Sequence, residues 1–215
     1  MTSEISRKKT APAPVELREK PGGVLLTGGA STRLGRDKAA VPLAPHRDAG
    51  GAELTLAEHA AAVLAQACDP CVEVGPGRSG LWSMQEVPPG SGPLAALVAG
   101  GHALRIEHGH HGAVLVLACD MPKVTPALLG LLADAEGADS VVPEAAGRLQ
   151  PLCARFSPDA LAVAQGLVDD GERSMHALLD RVPYRRLAEA DWSAVAPADA
   201  FADVDTPDDL ERLGE

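Results

Sequence analysis

The sequence predicts an α/β fold, a three-layer α/β/α sandwich around a Rossmann-like, mostly parallel sheet. Three observations predict it. Short apolar runs alternate with longer segments of helical periodicity from residue 22 onward. The run AVLVLACD at 113–120 is continuously apolar up to its last residue, as a strand buried on both faces requires. Two later segments open with a Thr-Pro pair, at Thr125-Pro126 and Thr206-Pro207, which suits an N-cap followed by the first helical residue.

The elements follow in order. Residues 24–26, Val-Leu-Leu, read as a first strand running into two glycines. Residues 44–53, APHRDAGGAE, read as a loop insertion. Residues 55–67, TLAEHAAAVLAQA, carry apolar side chains at helical spacing. CVEVG at 71–75 is a short strand, stopped by the turn cluster GPGRSG. GPLAALVAGGHALR at 92–105 is a helix with Pro93 in its first turn. The apolar strand at 113–120 follows, then the helix TPALLGLLADA at 125–135. DSVVPE and LQPLCARF are two further strands, and SPDALAVAQGLV and RSMHALLDR two further helices. TPDDLERLGE closes the chain as a last helix, with Asp208 and Asp209 in its first turn, where they suit the helix dipole. No internal repeat is visible.

Composition bounds the function. A chain of 215 residues fits one domain, read as 22–215 after a disordered, charge- and Pro-rich tail at 1–21. Hydrophobic residues make up 46% and aromatic residues 2%, so the core must be built from Ala, Val and Leu. The net charge of −11 argues against nucleic acid and anionic membranes as partners, but leaves room for a local basic pocket. No stretch is apolar for long enough to span a bilayer, and the N-terminus lacks the apolar core of a secretory signal, so a cytoplasmic location is expected. The four cysteines are then reduced thiols. Cys68 and Cys71 have C-x-x-C spacing, but no second pair exists and they fall between a helix and a strand, which favours a structural role. His102, His108, His110 and His111 lie between a helix and a strand and read as a solvated loop.

Three segments carry candidate chemistry. The first is TGGASTRLGRDK at 27–38. Its glycines fit neither the G-x-G-x-x-G dinucleotide fingerprint nor the P-loop spacing. Adjacent Gly28 and Gly29 after a strand leave backbone N–H groups open to an anion or a base edge, and Arg33 and Lys38 add positive charge. The alternative is a glycine turn with solvated charges. The second is Asp120, a carboxylate at the end of a buried strand, which is costly there unless paired or bound to a cation. A turn aspartate before Pro122 is the alternative. The third is FADVDTPDDL at 201–210, where Asp203 and Asp205 would share a face if extended, near Asp120 or merely at a polar strand end. Asp120 and the glycine turn follow two strands whose carboxyl ends would meet at one sheet edge, where ligands of such sheets bind.

These segments resemble a known family. LLTGGASTRLGRDKA is similar to the L-x-G-G-x-S-x-R-M-G-x-D-K-A signature of nucleotidyltransferases acting on the molybdenum cofactor, the guanylyltransferases above all. SGPLAAL (91–97), LACDMP (117–122), RLQPLCARF (148–156), GERSMHALL (171–179) and FADVDTPDDL match further family segments, in order, over residues 22–214. The resemblance implies the nucleotide-diphospho-sugar transferase type of sandwich. It implies transfer of GMP from GTP to the phosphate of the molybdopterin cofactor, with release of pyrophosphate and with Mg²⁺ as the metal. By motif position, Leu26, Thr27, Gly28 and Gly29 would contact the guanine, with Glu86 and Gly92 also on the nucleotide. Arg33 and Lys38 would face the phosphates, Asp120 and Asp205 would hold the metal, and Gln150, Glu172, Arg173 and Ser174 would lie toward the pterin.

There are departures. Thr27 stands where Ala is usual, Glu86 is the nearest acid where the family has an Asp before G-P-L, and Asp203 and Asp205 stand where Asn is frequent. The last departure also resembles the cytidylyltransferase of the same cofactor, whereas Gly28-Gly29 and Arg36-Asp37-Lys38 favour GTP. Three readings are therefore to be separated: a guanylyltransferase, a nucleotidyltransferase using CTP or another acceptor, and a non-enzymatic nucleotide- or cofactor-binding accessory protein. A monomer is expected, with molybdoenzymes or their chaperones as the protein partners.

Overall fold

The computed structural model describes residues 19–28, 37–47, 50–137, 139–206 and 209. In chain order the described elements are β1 (Gly22–Leu26), a 3-10 turn (Lys38–Ala40), β2 (Pro42–Arg47), β3 (Glu53–Thr55), α1 (Leu56–Ala67), β4 (Cys71–Val74) and β5 (Trp82–Met84). Then come α2 (Pro93–His108), β6 (Val114–Ala118), α3 (Pro126–Ala133), β7 (Ser140–Ala145), β8 (Arg148–Leu149) and β9 (Cys153–Phe156). The series ends with α4 (Pro158–Asp169), α5 (Met175–Leu179), β10 (Tyr184–Leu187) and α6 (Glu189–Trp192).

The main sheet has the order β10-β7-β9-β6-β1-β4-β5, with β8 paired to β7. Neighbours β7–β10, β6–β1, β1–β4 and β4–β5 run parallel, while β9 runs antiparallel to both β6 and β7. The sheet is therefore mostly parallel, and β6 and β7 point the same way across β9. Helices cover both faces, as the burial of a parallel sheet demands. Leu25, Leu115 and Leu117 pack with the layer of α1 and α3, and Val24, Val72, Val74 and Val116 pack with the layer of α2, α4 and α5.

Local chemistry explains the helix starts. Thr55 caps α1 through a capping box with Glu58, Thr125 caps α3 and Ser157 caps α4, with Pro126 and Pro158 in the first helical turns. Small residues let the layers close. A Cβ at Gly100 of α2 would lie 2.5 Å from one methyl of Val24 and 2.7 Å from the other. The helix can therefore approach β1 this closely only with glycine there.

Some expectations are corrected. Residues 44–53 are not a plain loop insertion, because β2 and β3 pair antiparallel across this region. LQPLCARF is not one strand but contributes to two, β8 and β9, separated by a turn at 150–152. His102 and His108 belong to α2, and His110 is buried with its Nε2 2.9 Å from the Gly22 nitrogen and 3.0 Å from the Ala113 carbonyl. Of the four, His111 is exposed in a loop as expected, His102 and His108 are exposed on the helix, and only His110 is buried. The strands β5 and β10 and the short α6 have no counterpart in the sequence reading. Cys68 ends α1 and Cys71 begins β4, and all four cysteines are free thiols. The helix expected over 206–215 lies largely outside the described residues. No described helix is long and apolar enough to cross a membrane.

Gly100→Ala should overpack the α2–β1 contact, at a cost of about 1–3 kcal/mol, or roughly 3–10 °C in Tm. Gly166→Ala in α4, where a Cβ would meet nothing within 4 Å, should instead raise Tm. Its gain is about 0.5–1 kcal/mol, or roughly 1–4 °C. Thermal unfolding of both variants checks the pair, and shifts of the same sign would contradict the packing account.

Candidate active site

Register builds the site. In the β1–β6 pairing Leu26 sits opposite Ala118, and in the β1–β4 pairing it sits opposite Val74. Three parallel strands therefore end at one height. The ladder continues one step past them: the Thr27 N–H donates to Val74 O at 3.1 Å, and the Cys119 N–H donates to Leu26 O at 3.0 Å. Thr27-Gly28 and Cys119-Asp120 thus leave the sheet side by side, at the carboxyl ends where such sheets bind ligands.

Lys38 is brought in by a capped turn. The Asp37 carboxylate accepts the Ala39 N–H at 3.1 Å and so fixes the 3-10 turn at Lys38. The Lys38 Nζ then lies 3.2 Å from Asp120 Oδ2 and 2.5 Å from Asp205 Oδ1. Asp205 comes from a segment far along the chain. Trp192 is fully buried, packs edge-on to Phe201 at 5.2 Å and donates its indole N–H to Glu144 O. This packing anchors the segment that follows. The Val204 N–H then donates to Asp120 O at 2.9 Å, and the Asp209 carboxylate accepts the N–H groups of Asp205 and Thr206.

The electrostatics are those of a partly buried triad. Burial disfavours the Lys38 ammonium, but its hydrogen bond to Asp205 and the charge of Asp120 outweigh burial, so its pKa lies above the ordinary lysine value. Asp120 is governed by burial, which raises its pKa; the Lys38 charge only partly offsets this, and Asp203 adds repulsion. Asp120 Oδ1 is buried and has no hydrogen-bond partner among the described residues. An orphaned carboxylate oxygen beside a second carboxylate fits a hard cation, and magnesium uses one or two carboxylates together with substrate phosphates. Among the described residues no group of three or more His, Cys, Asp or Glu gathers as a metal cluster, so Asp203 does not complete one.

A residue that sequence reasoning missed lies next to this site. Glu73 of β4 is fully buried. Its Oε1 accepts the Thr27 hydroxyl, the Gly77 N–H at 2.8 Å and the Arg78 N–H at 2.9 Å. Its Oε2 accepts the Ser79 N–H at 2.8 Å and the Ser79 hydroxyl at 2.6 Å. Burial alone would raise its pKa, but these donors outweigh it and hold the carboxyl below the ordinary range. The signal is present in CVEVGPGRSG: an acid in an apolar strand, followed by a glycine-rich turn whose amides need acceptors.

The remaining expected residues fall as follows. Leu26 and Thr27 are buried and Gly28 is exposed beside them. Gly92 is the N-cap of α2, with φ 94°, and a Cβ there would press on Arg173 at 3.3 Å. The Leu94 N–H donates to Arg173 O at 3.4 Å, so the GPL and GERS segments meet although they are far apart in sequence. Glu172 accepts the N–H groups of Arg173 and Ser174, and the bonds from Ser174 and then Arg173 lower its pKa. Ser174 caps α5. Glu86 accepts the Gly90 N–H at 2.8 Å, closing the turn before Gly92. Gln150 follows the β7–β8 hairpin, its side-chain amide donating to Arg148 O. The structure therefore joins Leu26, Thr27, Lys38, Asp120 and Asp205 in one centre, and Gly92 with Arg173 in a second group. Gly29 and Arg33 lie outside the described residues.

Known proteins share this arrangement of chain. The profile of the MobA-like NTP transferase domain matches residues 23–188, well over half of the chain. A protein of Mycobacterium tuberculosis named "Probable molybdenum cofactor guanylyltransferase" is 35% identical over 198 residues, covering 86% of this chain and 92% of its own. In fold, the chain is similar to the crystal structure of molybdopterin-guanine dinucleotide biosynthesis protein A from Archaeoglobus fulgidus. That match has a TM-score of 0.71 at 24% identity and covers 90% of this chain and 96% of the other. A Mycobacterium tuberculosis protein solved in complex with manganese matches with a TM-score of 0.60 at 23% identity, over 90% of this chain and 97% of the other. By the profile match and by 35% identity over nearly the full length, the chain belongs to the MobA-like NTP transferase family.

Proposed function

We propose that this chain transfers GMP from GTP to the phosphate of the molybdenum–molybdopterin cofactor and releases pyrophosphate. The observation that carries the reading is the Lys38–Asp120–Asp205 centre beside the Thr27-Gly28 turn, at the carboxyl ends of β1 and β6. The name of the 35%-identical relative supports the same acceptor and nucleotide.

The chain's own groups would supply positioning and part of the charge balance. Residues 26–29 would hold the guanine against backbone N–H groups, with Gly92 and Glu86 bordering the nucleotide. Lys38 and Arg33 would neutralise phosphate charge, which is where catalysis of such transfers resides. Asp120 and Asp205 would hold magnesium. Bound there, the ion would neutralise charge on the triphosphate and on the leaving pyrophosphate. Gln150, Glu172, Arg173 and Ser174 would face the pterin, with the Arg173 guanidinium matched to its phosphate. The acceptor phosphate oxygen attacks the α-phosphorus, the bond from that phosphorus to the bridging oxygen breaks, and no covalent enzyme intermediate is needed.

Four outcomes are expected. GTP with Mg²⁺ should raise Tm, whereas CTP and ATP should not. At about a hundred times Kd the gain is about 2.7 kcal/mol, on the order of 5–10 °C. A shift with CTP alone would replace the guanylyl reading by a cytidylyl one. Asp120→Asn should lower turnover by about 10²-fold or more. The same variant should raise Tm at neutral pH. A carboxyl whose pKa is raised by folding weakens the fold as pH rises and it ionises, and the amide never ionises. Near-normal turnover in Asp120→Asn would remove that residue from the centre. Lys38→Gln should weaken GTP binding by about 10–100-fold, as the loss of a charge-assisted bond implies. Unchanged affinity by titration calorimetry would take Lys38 off the phosphates.

A further inference from the structure

The buried carboxylate of Glu73 is left over by the mechanism above. It touches no reacting group, because it has no exposed surface. Its charge is balanced by backbone N–H groups and hydroxyls. A strand interior between Val72 and Val74 would be filled at lower cost by another apolar side chain. The donors that Glu73 gathers therefore indicate what it does.

They come from two places that flank the candidate centre. One is Thr27, the residue that follows β1. The other is the loop 77–79, which presents three consecutive N–H groups. Gly75 lets these meet: a Cβ there would collide with the Thr27 hydroxyl and lie 2.8 Å from the Gly28 nitrogen. The loop also reaches further. Arg78 Nε donates to Asp37 Oδ2 at 2.8 Å, while Asp37 Oδ1 accepts the Ala39 N–H and so caps the turn that carries Lys38. A continuous path of hydrogen bonds thus runs from Thr27 through Glu73 and Arg78 to Asp37 and the Lys38 turn. The Thr27 hydroxyl proton is engaged by Glu73 rather than offered to a ligand.

We propose that Glu73 is a positioning residue, which fixes the Thr27-Gly28 turn and the Lys38 turn relative to each other and thereby sets nucleotide affinity. The affinity part rests on the nucleotide reading above, and the bracing part does not. Glu73→Gln is the sharp probe, because both carboxylate oxygens accept from N–H groups and an amide nitrogen can replace neither.

The experiment compares wild type, Glu73→Gln, Arg78→Ala and Ser79→Ala by amide hydrogen exchange, GTP titration and steady-state kinetics. In Glu73→Gln, the amides of residues 77–79 should lose about tenfold or more of their protection. The Ala39 and Val41 amides should lose protection too, while the centre of β6 keeps it. GTP Kd and KM should rise by about tenfold or more, with kcat at saturation within about threefold. Arg78→Ala should keep the protection of 77–79, lose that of Ala39, and raise Kd by a smaller factor. Ser79→Ala, which removes one hydroxyl donor, should give the Glu73→Gln pattern at lower amplitude, and it serves if Glu73→Gln does not fold.

Wild-type protection at residues 39–41 in Glu73→Gln, or a uniform loss across all strands, would overturn the bracing. Wild-type affinity with loosened amides would overturn its link to binding. Should wild type bind no nucleoside triphosphate, the functional reading fails by itself, and the exchange data alone decide whether Glu73 braces the two turns.

Discussion

Parallel, in-register pairing of β1 with β6 is the constraint on which the rest depends. Leu26 and Ala118 lie far apart in sequence but directly opposite each other across the ladder. A slip of one residue would turn every side chain of β1 toward the other helical layer. Val24 would lose its seat under Gly100, and Leu25 its place among the residues of α1 and α3. The same ladder hands the chain over to Thr27 on one strand and Cys119 on the next. Core packing and site geometry are therefore one requirement, met by one register.

Two acids near that strand end are treated in opposite ways. Glu73 has both oxygens occupied by donors, and its pKa is held down. Asp120 is burdened by burial, its pKa is raised, and one oxygen is left unpaired among the described residues. The first pattern belongs to scaffolding, since a satisfied buried acid rigidifies what it binds. The second fits the binding centre proposed above, where stability would be given up for a group that a ligand would satisfy. In a chain of net charge −11, Lys38 stands at that second acid and is paired with both Asp120 and Asp205.

Much of this is legible in the sequence, for physical reasons that differ by element. The strand β6 shows as an unbroken apolar run, because both of its faces are buried. The start of α3 shows through the cap chemistry of Thr125, whereas the equivalent role of Thr55 at α1 emerges only with its capping box. Lys38, Asp120 and Asp205 each stand out in the chain, yet only the fold brings two carboxylates from distant segments to within 3.2 Å of the Lys38 ammonium. Asp203, expected beside Asp205, is exposed and reaches Asp120 only through its charge. β5 and β10 escape notice because they are short edge strands with polar residues, whose pairing is dictated by β4 and β7 rather than by local pattern. The acid and the glycine-rich turn of CVEVGPGRSG are visible in the sequence, but the role of Glu73 is not, because only the fold locates its donors. His110 misleads for a similar reason: Gly22 of β1, far away in sequence, packs on its ring together with the nearby Ala113 carbonyl.

The most direct test is transfer itself. The purified chain would be incubated with Mg²⁺, molybdenum–molybdopterin cofactor and GTP labelled at the α-phosphate, with α-labelled CTP in parallel. Label from GTP should move onto the pterin in equal amount to the pyrophosphate released, and Asp120→Asn should lower that movement by about 10²-fold or more. Labelled product from CTP but not GTP, or binding of GTP without any transfer, would contradict the guanylyl reading.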